Sequence, residues 1–412
     1  MVNHEINLKP DVLIIGAGVA GITCAINCQE NGLNYLLIEK DSRVGGRLGS
    51  IYDSGYIFDI GFQVFNTSYE ITKQYLDLKK LNLKFFKPGS AIYSGSAFKI
   101  ISDPLRDFGQ IFNTLFSNIP TLADKISILK LKFSLLNYDI EKDKSQDMET
   151  LVFLKEYGFS ENMISQFFLP FFAGVFLEDE LKTSSKFFKY VFSKFGKGLA
   201  SLPSNGMQDI PEDMLRRVDK DNLFLNCAVE HITRDKKVKL KDGKTIEAKK
   251  IVLTGDSQKL INEKGIIFNS VKTLYFSTNA EPDYSNYIHI FPNEKYINNI
   301  AFLTSISDQY SENKDKLISV SIIQENIVSD FKLINHIKNR LKNIYGGKFN
   351  FLKNFNIEQA TVNQPVQYFD QKYNMSIDNK FYISGDNLVH GSIEGAAISG
   401  LKVAEELKKD LS

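Results

Sequence analysis

The stretch DVLIIGAGVAGITCA, Asp11 to Ala25, constrains this chain more than any other. Val12, Leu13, Ile14 and Ile15 run without a polar break, which predicts a short strand buried on both faces in a parallel sheet. Gly16, Gly18 and Gly21 follow at once in the order G-x-G-x-x-G. Gly16 allows a tight turn, Gly18 lets backbone N–H groups approach a pyrophosphate, and Gly21 lets the next helix lie close to the strand. That helix runs to about Asn31 and is closed by Gly32. NYLLIEK is then a second strand ending at Glu39, close to the spacing at which an acid meets a ribose 2′-hydroxyl. The turn, with Val19 and Ala20 opening its helix, and Glu39 with Lys40 form a candidate nucleotide site. NAD, NADP and FAD all use such a unit, so the turn alone leaves the cofactor open.

The second loop, DSRVGGRLGS from Asp41 to Ser50, is glycine-rich and basic. Its RVGGR core resembles the G-G-R segment of the flavin amine oxidase, protoporphyrinogen oxidase and phytoene desaturase superfamily. The resemblance implies FAD as the cofactor, with Glu39 on the adenosine ribose. Arg43, Gly45, Gly46 and Arg47 would lie along the pyrophosphate and flavin. A second match stands at the other end of the chain. YISGDNLVHGSIEGAAISGLKVAEEL resembles the superfamily's C-terminal flavin segment, in which Gly385 and Asp386 would face the ribityl chain. A last helix starting near Ser392, Ile393 and Glu394 would aim its N-terminus at the flavin, where its partial positive charge favours the reduced ring. Three further stretches resemble the family. FDIGFQVFN places Gly61, Phe62 and Gln63 beside the ring. NCAVEHITRD places the Val229 backbone at the adenine. IVLTGD carries Gly255 where the family often has threonine.

These elements predict an α/β fold: an FAD/NAD(P)-binding Rossmann-like domain with an interleaved α+β substrate domain of antiparallel sheet plus helices. The expected boundaries are 1–75, 200–262 and 350–412 for the FAD-binding domain, and 76–199 and 263–349 for the substrate domain. SYEITKQYLDLKKLN reads as a helix, and residues 85–201 as a series of short amphipathic helices that includes LRDFGQIFNTLFSNI and LADKISILKLKFSLL. VKTLYFSTN, NYIHIFP, INNIAFLTS and KLISVSIIQ read as strands.

The balance of 50 basic and 49 acidic residues argues against a general nucleic-acid partner. Cys24, Cys28 and Cys227 cannot form a disulfide framework, and no metal-ligand spacing is visible. No basic n-region with an apolar h-region opens the chain, so a soluble cytoplasmic protein is expected, with peripheral membrane contact left open. Of the 32 phenylalanines, 11 fall between residues 151 and 200, which suggests a greasy pocket as well as a helical core.

No Ser-His-Asp set or paired-carboxylate motif stands out. Hydride removal by a flavin needs none, only a C–H held over the ring with water excluded. The resemblance therefore implies an FAD-dependent oxidoreductase acting on a small apolar substrate, phytoene desaturase-like or protoporphyrinogen oxidase-like, with oxygen or a quinone as electron acceptor. A flavin amine oxidase and a flavin-binding protein without turnover are the alternatives. His390 and Gln63 are the candidate catalytic residues, and the oligomeric state is not legible.

Overall fold

A computed structural model describes residues 8–102, 120–261, 265–323, 329–371 and 374–412. The segment expected to form a helix at LRDFGQIFNTLFSNI lies outside the described residues. Strand β1 (Val12–Ile15) is fully buried, as its unbroken aliphatic run requires. It leads into helix α1 (Val19–Glu30) and then strand β2 (Tyr35–Ile38). These strands belong to a five-stranded parallel sheet in the order Leu223–Phe224, β2, β1, Lys250–Thr254 and Phe381–Ser384. Val12 stands opposite Tyr35 on one side and Lys250 on the other.

Side chains alternate across this sheet with period two. Val12, Ile14, Leu37 and Val252 pack towards α1 and the last helix, Ile393–Leu411. Leu13, Ile15, Leu36, Ile38, Ile251 and Leu253 face a small antiparallel sheet carrying Val238, Leu240 and Ile246. The last helix lies directly against α1. A Cβ at Gly400 would come 2.3 Å from the Ala20 carbonyl oxygen, so only glycine permits the contact.

The second sheet has seven strands, ordered Phe349–Val362, Phe268–Thr278, Lys316–Ile322, Asn299–Phe302, Ile288–Ile290, Gly89–Tyr93 and Phe98–Ser102. Every pair is antiparallel except Ile288–Ile290 with Gly89–Tyr93. Two of its parts differ from the sequence reading. Residues 89–102 form a hairpin where helices were expected. Residues 349–362 run along Phe268–Thr278, so the chain returns to the parallel sheet only at Phe381 and not at 350. The expected helix over SYEITKQYLDLKKLN is also broken, into turns at Thr72–Tyr75 and Leu78–Leu81. Asp77 interrupts it by accepting from Lys79 N and Lys80 N as a new cap.

Helices Leu122–Ser134, Thr150–Glu156, Leu169–Phe176 and Ser185–Lys197 build the helical part of the second unit. Its core is aromatic. Phe159, Phe168, Phe172, Phe176, Phe187 and Phe188 are buried against one another, so most of the phenylalanine-rich stretch is consumed by packing. Cys24 and Cys28 are buried on α1, and the hydrogen bond with the Cys28 thiol, with burial second, pushes the Cys24 thiol well up. No helix among the described residues is long and apolar enough to cross a membrane.

Candidate functional site

The three glycines of the first turn have different duties. Gly16 adopts φ +103°, and a Cβ there would meet Thr254 Oγ1 at 2.4 Å. A Cβ on Gly21 would meet the Gly16 carbonyl oxygen at 2.0 Å. Both positions are closed by the protein itself. Gly18 is open: the nearest atom to a Cβ would be Gly45 O at 4.0 Å. The second loop leans on the first through Gly45 N donating to Ala17 O at 2.8 Å. This sets Gly46 over Gly18, where a Cβ would meet only Gly18 Cα at 3.6 Å. The two loops thus leave a strip bare of side chains. Helix α1 begins on it with Gly18 as its N-cap, no side-chain cap and no acid in the first turn. Val19, Ala20 and Gly21 therefore present first-turn amides without a compensating carboxylate, the arrangement that receives a phosphate.

Glu39 is buried and fixed. Its Oε2 accepts from Ala17 N at 2.7 Å and its Oε1 from Asp41 N at 3.0 Å. A carboxylate has about four acceptor positions, so two stay available for ribose hydroxyls. Lys40 beside it is exposed. The Glu39 backbone also holds the neighbouring segment: Glu39 N donates to Phe224 O at 2.9 Å and Cys227 N donates to Glu39 O at 2.7 Å. That brings the strand from Val229 to the same end of the sheet.

The C-terminal elements reach the second loop. Arg47 Nη2 donates to Asp386 Oδ1 across 339 residues of sequence. Arg47 also lies over the Phe268 ring at 5.3 Å, and its carbonyl accepts from Gln63 Nε2 at 2.9 Å. Gln63 bridges on to Ile60 O at 3.2 Å. Gly61 takes φ +83° against Ile357 Cδ1, 2.7 Å from where a Cβ would sit. Phe62 is half-buried and meets Phe86 edge-on at 5.9 Å. Gly385 N donates to Ser399 Oγ at 2.9 Å, which holds the Asp386 turn on the last helix.

Ser392 caps that helix by accepting from Gly395 N at 3.0 Å. Ile393 follows it, half-buried. The side chain of Glu394 turns to the residues that begin the broken helix. It accepts from Glu70 N at 2.7 Å, Ile71 N at 2.8 Å, Thr72 N at 2.9 Å and Thr72 Oγ1 at 2.7 Å. Its duty is to tie the N-terminal third of the chain to the last helix.

Two candidates are engaged by the protein itself. Arg43 was expected along the pyrophosphate. Its guanidinium instead donates to Gly46 O at 2.7 Å, to Val44 O and Leu48 O at 3.2 Å, and to Gln208 Oε1 at 3.3 Å. It folds its own loop. His390 is a candidate either to tune or protonate or to serve as a hydrogen-bonded loop histidine, and its surroundings are those of the second. It is fully buried, bonded through Nδ1 to Ser392 Oγ at 2.9 Å and packed on Tyr190 with ring centroids 4.0 Å apart. Burial, with the nearby Lys194 charge, pushes its pKa down to about 3, so it stays neutral at working pH. Gln63 holds backbone and has no strong acid–base character.

The sequence reading did not single out Gln364. Its Oε1 accepts from Gly391 N at 2.9 Å, one residue before the helix cap. Its Nε2 is buried without a partner. A buried orphan donor at that place is what a bound group with acceptor atoms would satisfy. Together with the bare glycine strip and the part-filled acceptors of Glu39, it offers unused donors and acceptors of the kind FAD would take up. A cleft of about 330 Å³ opens beside Phe268, lined also by Glu178, Asp179, Asn269 and Ser270.

Comparison with known proteins gives the family and the fold. The family model described as "Flavin containing amine oxidoreductase" matches residues 19–408. "Probable flavin-containing monoamine oxidase A" of Dictyostelium discoideum is 26% identical over 265 residues, which cover 59% of this chain and 56% of that protein. "Protoporphyrinogen oxidase 2, chloroplastic/mitochondrial" of Arabidopsis thaliana is 44% identical over 50 residues, 12% of this chain and 10% of that one. The chain therefore spans about half the length of the first relative and far less of the second. Among solved structures, a putrescine oxidase bound to putrescine superposes with TM-score 0.69 at 14% identity, covering 97% of this chain and 99% of its own. At that identity the likeness shows the fold.

Proposed function

The chain belongs to the family of flavin-containing amine oxidoreductases, whose cofactor here is FAD, and from that premise we propose that it removes hydride from an apolar substrate. One observation carries this reading. The N-terminus of the last helix, where the flavin ring would lie, is walled by aromatic rings. Tyr190 packs tilted on His390 at 4.0 Å, Phe187 stacks towards His390 at 6.4 Å, and Phe369 stacks on Phe187 at 6.3 Å. Aromatic packing of this kind excludes water and gives that end of the site an apolar character.

Bound FAD supplies the two-electron acceptor. The chain's own residues bind and orient. Gly18, Gly46 and the α1 N-terminus would hold the pyrophosphate, Glu39 the adenosine ribose, and Asp386 with Arg47 the middle of the cofactor. His390 stays neutral and gives shape rather than a proton, in keeping with hydride removal that needs no protein base.

A second reading, oxidation of an amine, is favoured by the cleft beside Phe268, because Glu178 and Asp179 on its lining suit a cation. Anaerobic mixing of FAD-loaded protein with conjugated polyenes, reduced tetrapyrrole macrocycles and diamines distinguishes them. Bleaching of the visible flavin band by a polyene or macrocycle supports the first reading. Bleaching by diamines alone replaces it with the second. No bleaching by any, with a photoreduced flavin that oxygen and quinones never reoxidise, leaves a flavin-binding protein without turnover.

A further inference from the structure

Asp59 is a buried carboxylate at the end of the hairpin Ser50–Asp53 and Tyr56–Asp59, two residues before Gly61. Its Oδ1 accepts from Ser50 Oγ at 2.6 Å and from Met207 N at 2.9 Å. Its other contacts come from the seven-stranded sheet. Its Oδ2 accepts from Tyr310 Oη at 2.6 Å, and its carbonyl accepts from Tyr275 Oη at 2.7 Å. Tyr275 stands in the strand Phe268–Thr278, and Tyr310 in the connection between Asn299–Phe302 and Lys316–Ile322. None of these donors carries a charge.

The Tyr310 hydroxyl is not needed to place its own chain. Ser307 Oγ donates to Ser204 O at 2.9 Å, Glu312 N to Gly55 O at 2.8 Å and Asn313 Nδ2 to Ser54 O at 2.8 Å. The connection is therefore docked by bonds on both sides of Tyr310. Beyond Asp59 the bonds continue. Ile60 N donates to Gly49 O at 2.8 Å, Gln63 Nε2 donates to both Ile60 O and Arg47 O, and Arg47 donates to Asp386. A run of hydrogen bonds thus joins the seven-stranded sheet to the residues assigned to the middle of the cofactor.

We propose that Tyr310 is a positioning residue: acting through Asp59, it fixes the Gly61–Gln63 segment and so sets the surroundings of the flavin ring from the side of the seven-stranded sheet. This rests on the reading that the segment lies beside the ring. Asp59 is also the joint at which a proton enters the relay. Burial raises its carboxyl to about 6, against the lowering effect of Ser50, Tyr310 and Met207, and the facing Asp209 carboxylate adds to the rise. The phenols of Tyr52, Tyr275 and Tyr310 are all pushed up and stay protonated. Above that pH Tyr310 donates to a carboxylate. Below it the partner is a neutral acid and the bond is weaker.

The test is visible circular dichroism of the FAD-loaded protein between pH 5 and 8, with FAD retention and melting measured alongside. His390, at about 3, stays neutral over this range. The wild-type flavin signal should change in a single one-proton step near pH 6. Tyr310→Phe removes a bond that favours the ionised acid, so the step should move up by about one pH unit while FAD is retained. Asp59→Asn should abolish the step, which separates it from Asp209. The proposal is overturned if the wild-type signal is the same at every pH, if Tyr310→Phe leaves the step where it was, or if Asp59→Asn keeps it. It is also overturned if Tyr310→Phe melts markedly lower or sheds FAD, which would make the bond a folding contact. A wild type that takes up no FAD would remove the cofactor reading and the proposal with it, whereas bound FAD with a pH-independent signal removes the proposal alone.

Discussion

Gly18 and Gly21 stand three residues apart in one motif, and the structure separates them. At Gly18 the backbone has φ −75°, which any residue adopts, and a new Cβ would have no protein atom nearer than 4.0 Å. Gly18→Ala therefore fits the folded chain. Its cost is that of a poorer N-cap, about 1 kcal/mol or less. The added methyl stands in the strip between the loops and keeps the pyrophosphate from the first-turn amides. Losing one charge-assisted hydrogen bond costs about 1.5–3 kcal/mol, so FAD affinity falls about ten- to a hundredfold. Gly21→Ala does the reverse. Its Cβ would be driven to 2.0 Å from the Gly16 carbonyl oxygen, a backbone atom that cannot step aside. The expected loss is about 3 kcal/mol or more of folding stability. The assay pairs FAD titration of deflavinated protein, read by flavin fluorescence, with thermal melting. A Gly18→Ala protein that binds FAD as well as wild type would refute the placement of the pyrophosphate. One that melts as low as Gly21→Ala would show that Gly18 is a packing residue.

Glu394→Gln turns an amide into the nest of donors from residues 70–72, so a drop in stability of about 2–3 kcal/mol is expected by denaturant titration; an unchanged midpoint would deny the tie between helix and N-terminal segment. Asp386→Asn removes an acceptor charge and frees Arg47, and FAD retention on dialysis should fall about tenfold with the fold intact; full retention would remove Asp386 from the site. Two buried groups give opposite pH signs. Burial lowers His390 from 6.5 to about 3, so its neutral form stabilises the fold above pH 6.5 and that stability is lost as the pH falls towards 3. Burial raises Asp59 from 3.8 to about 6, so its contribution is full below pH 3.8 and is lost as the pH rises to 6. Between those limits the two slopes oppose each other at about 1.4 kcal/mol per pH unit. Relative to wild type, Asp59→Asn should become steeper on acidification and His390→Gln flatter. Parallel curves for all three proteins would contradict both assignments.

What could be read from sequence was what backbone geometry demands. Gly16 at positive φ and Gly21 under a carbonyl each admit one residue type, so they print as a motif. Glu39 prints as a distance along the chain, because one helix and one strand fix it. The misses came from partners far away in sequence. The helix expected over residues 68–82 has a fair periodicity, but Glu394 takes the amides at 70–72 and Asp77 starts a new turn. Strand Phe349–Val362 reads as mixed and polar because only parts of it are buried. Its place beside Phe268–Thr278 is set by a sheet, not by its own pattern. Arg43 and Arg47 look alike in RVGGR, and no local rule says that one closes the loop while the other reaches Asp386. Gln364 has no motif at all, and its interest lies in an unused donor.

The contact between Gly400 and Ala20 has a consequence for biogenesis. Strand β1 leaves the ribosome some 240 residues before its neighbour Lys250–Thr254, and the helix that seats on α1 is made after both. The nascent chain thus carries an unfinished cofactor cradle while its middle unit folds. A product cut before Phe381 should be colourless however well its helical unit has folded.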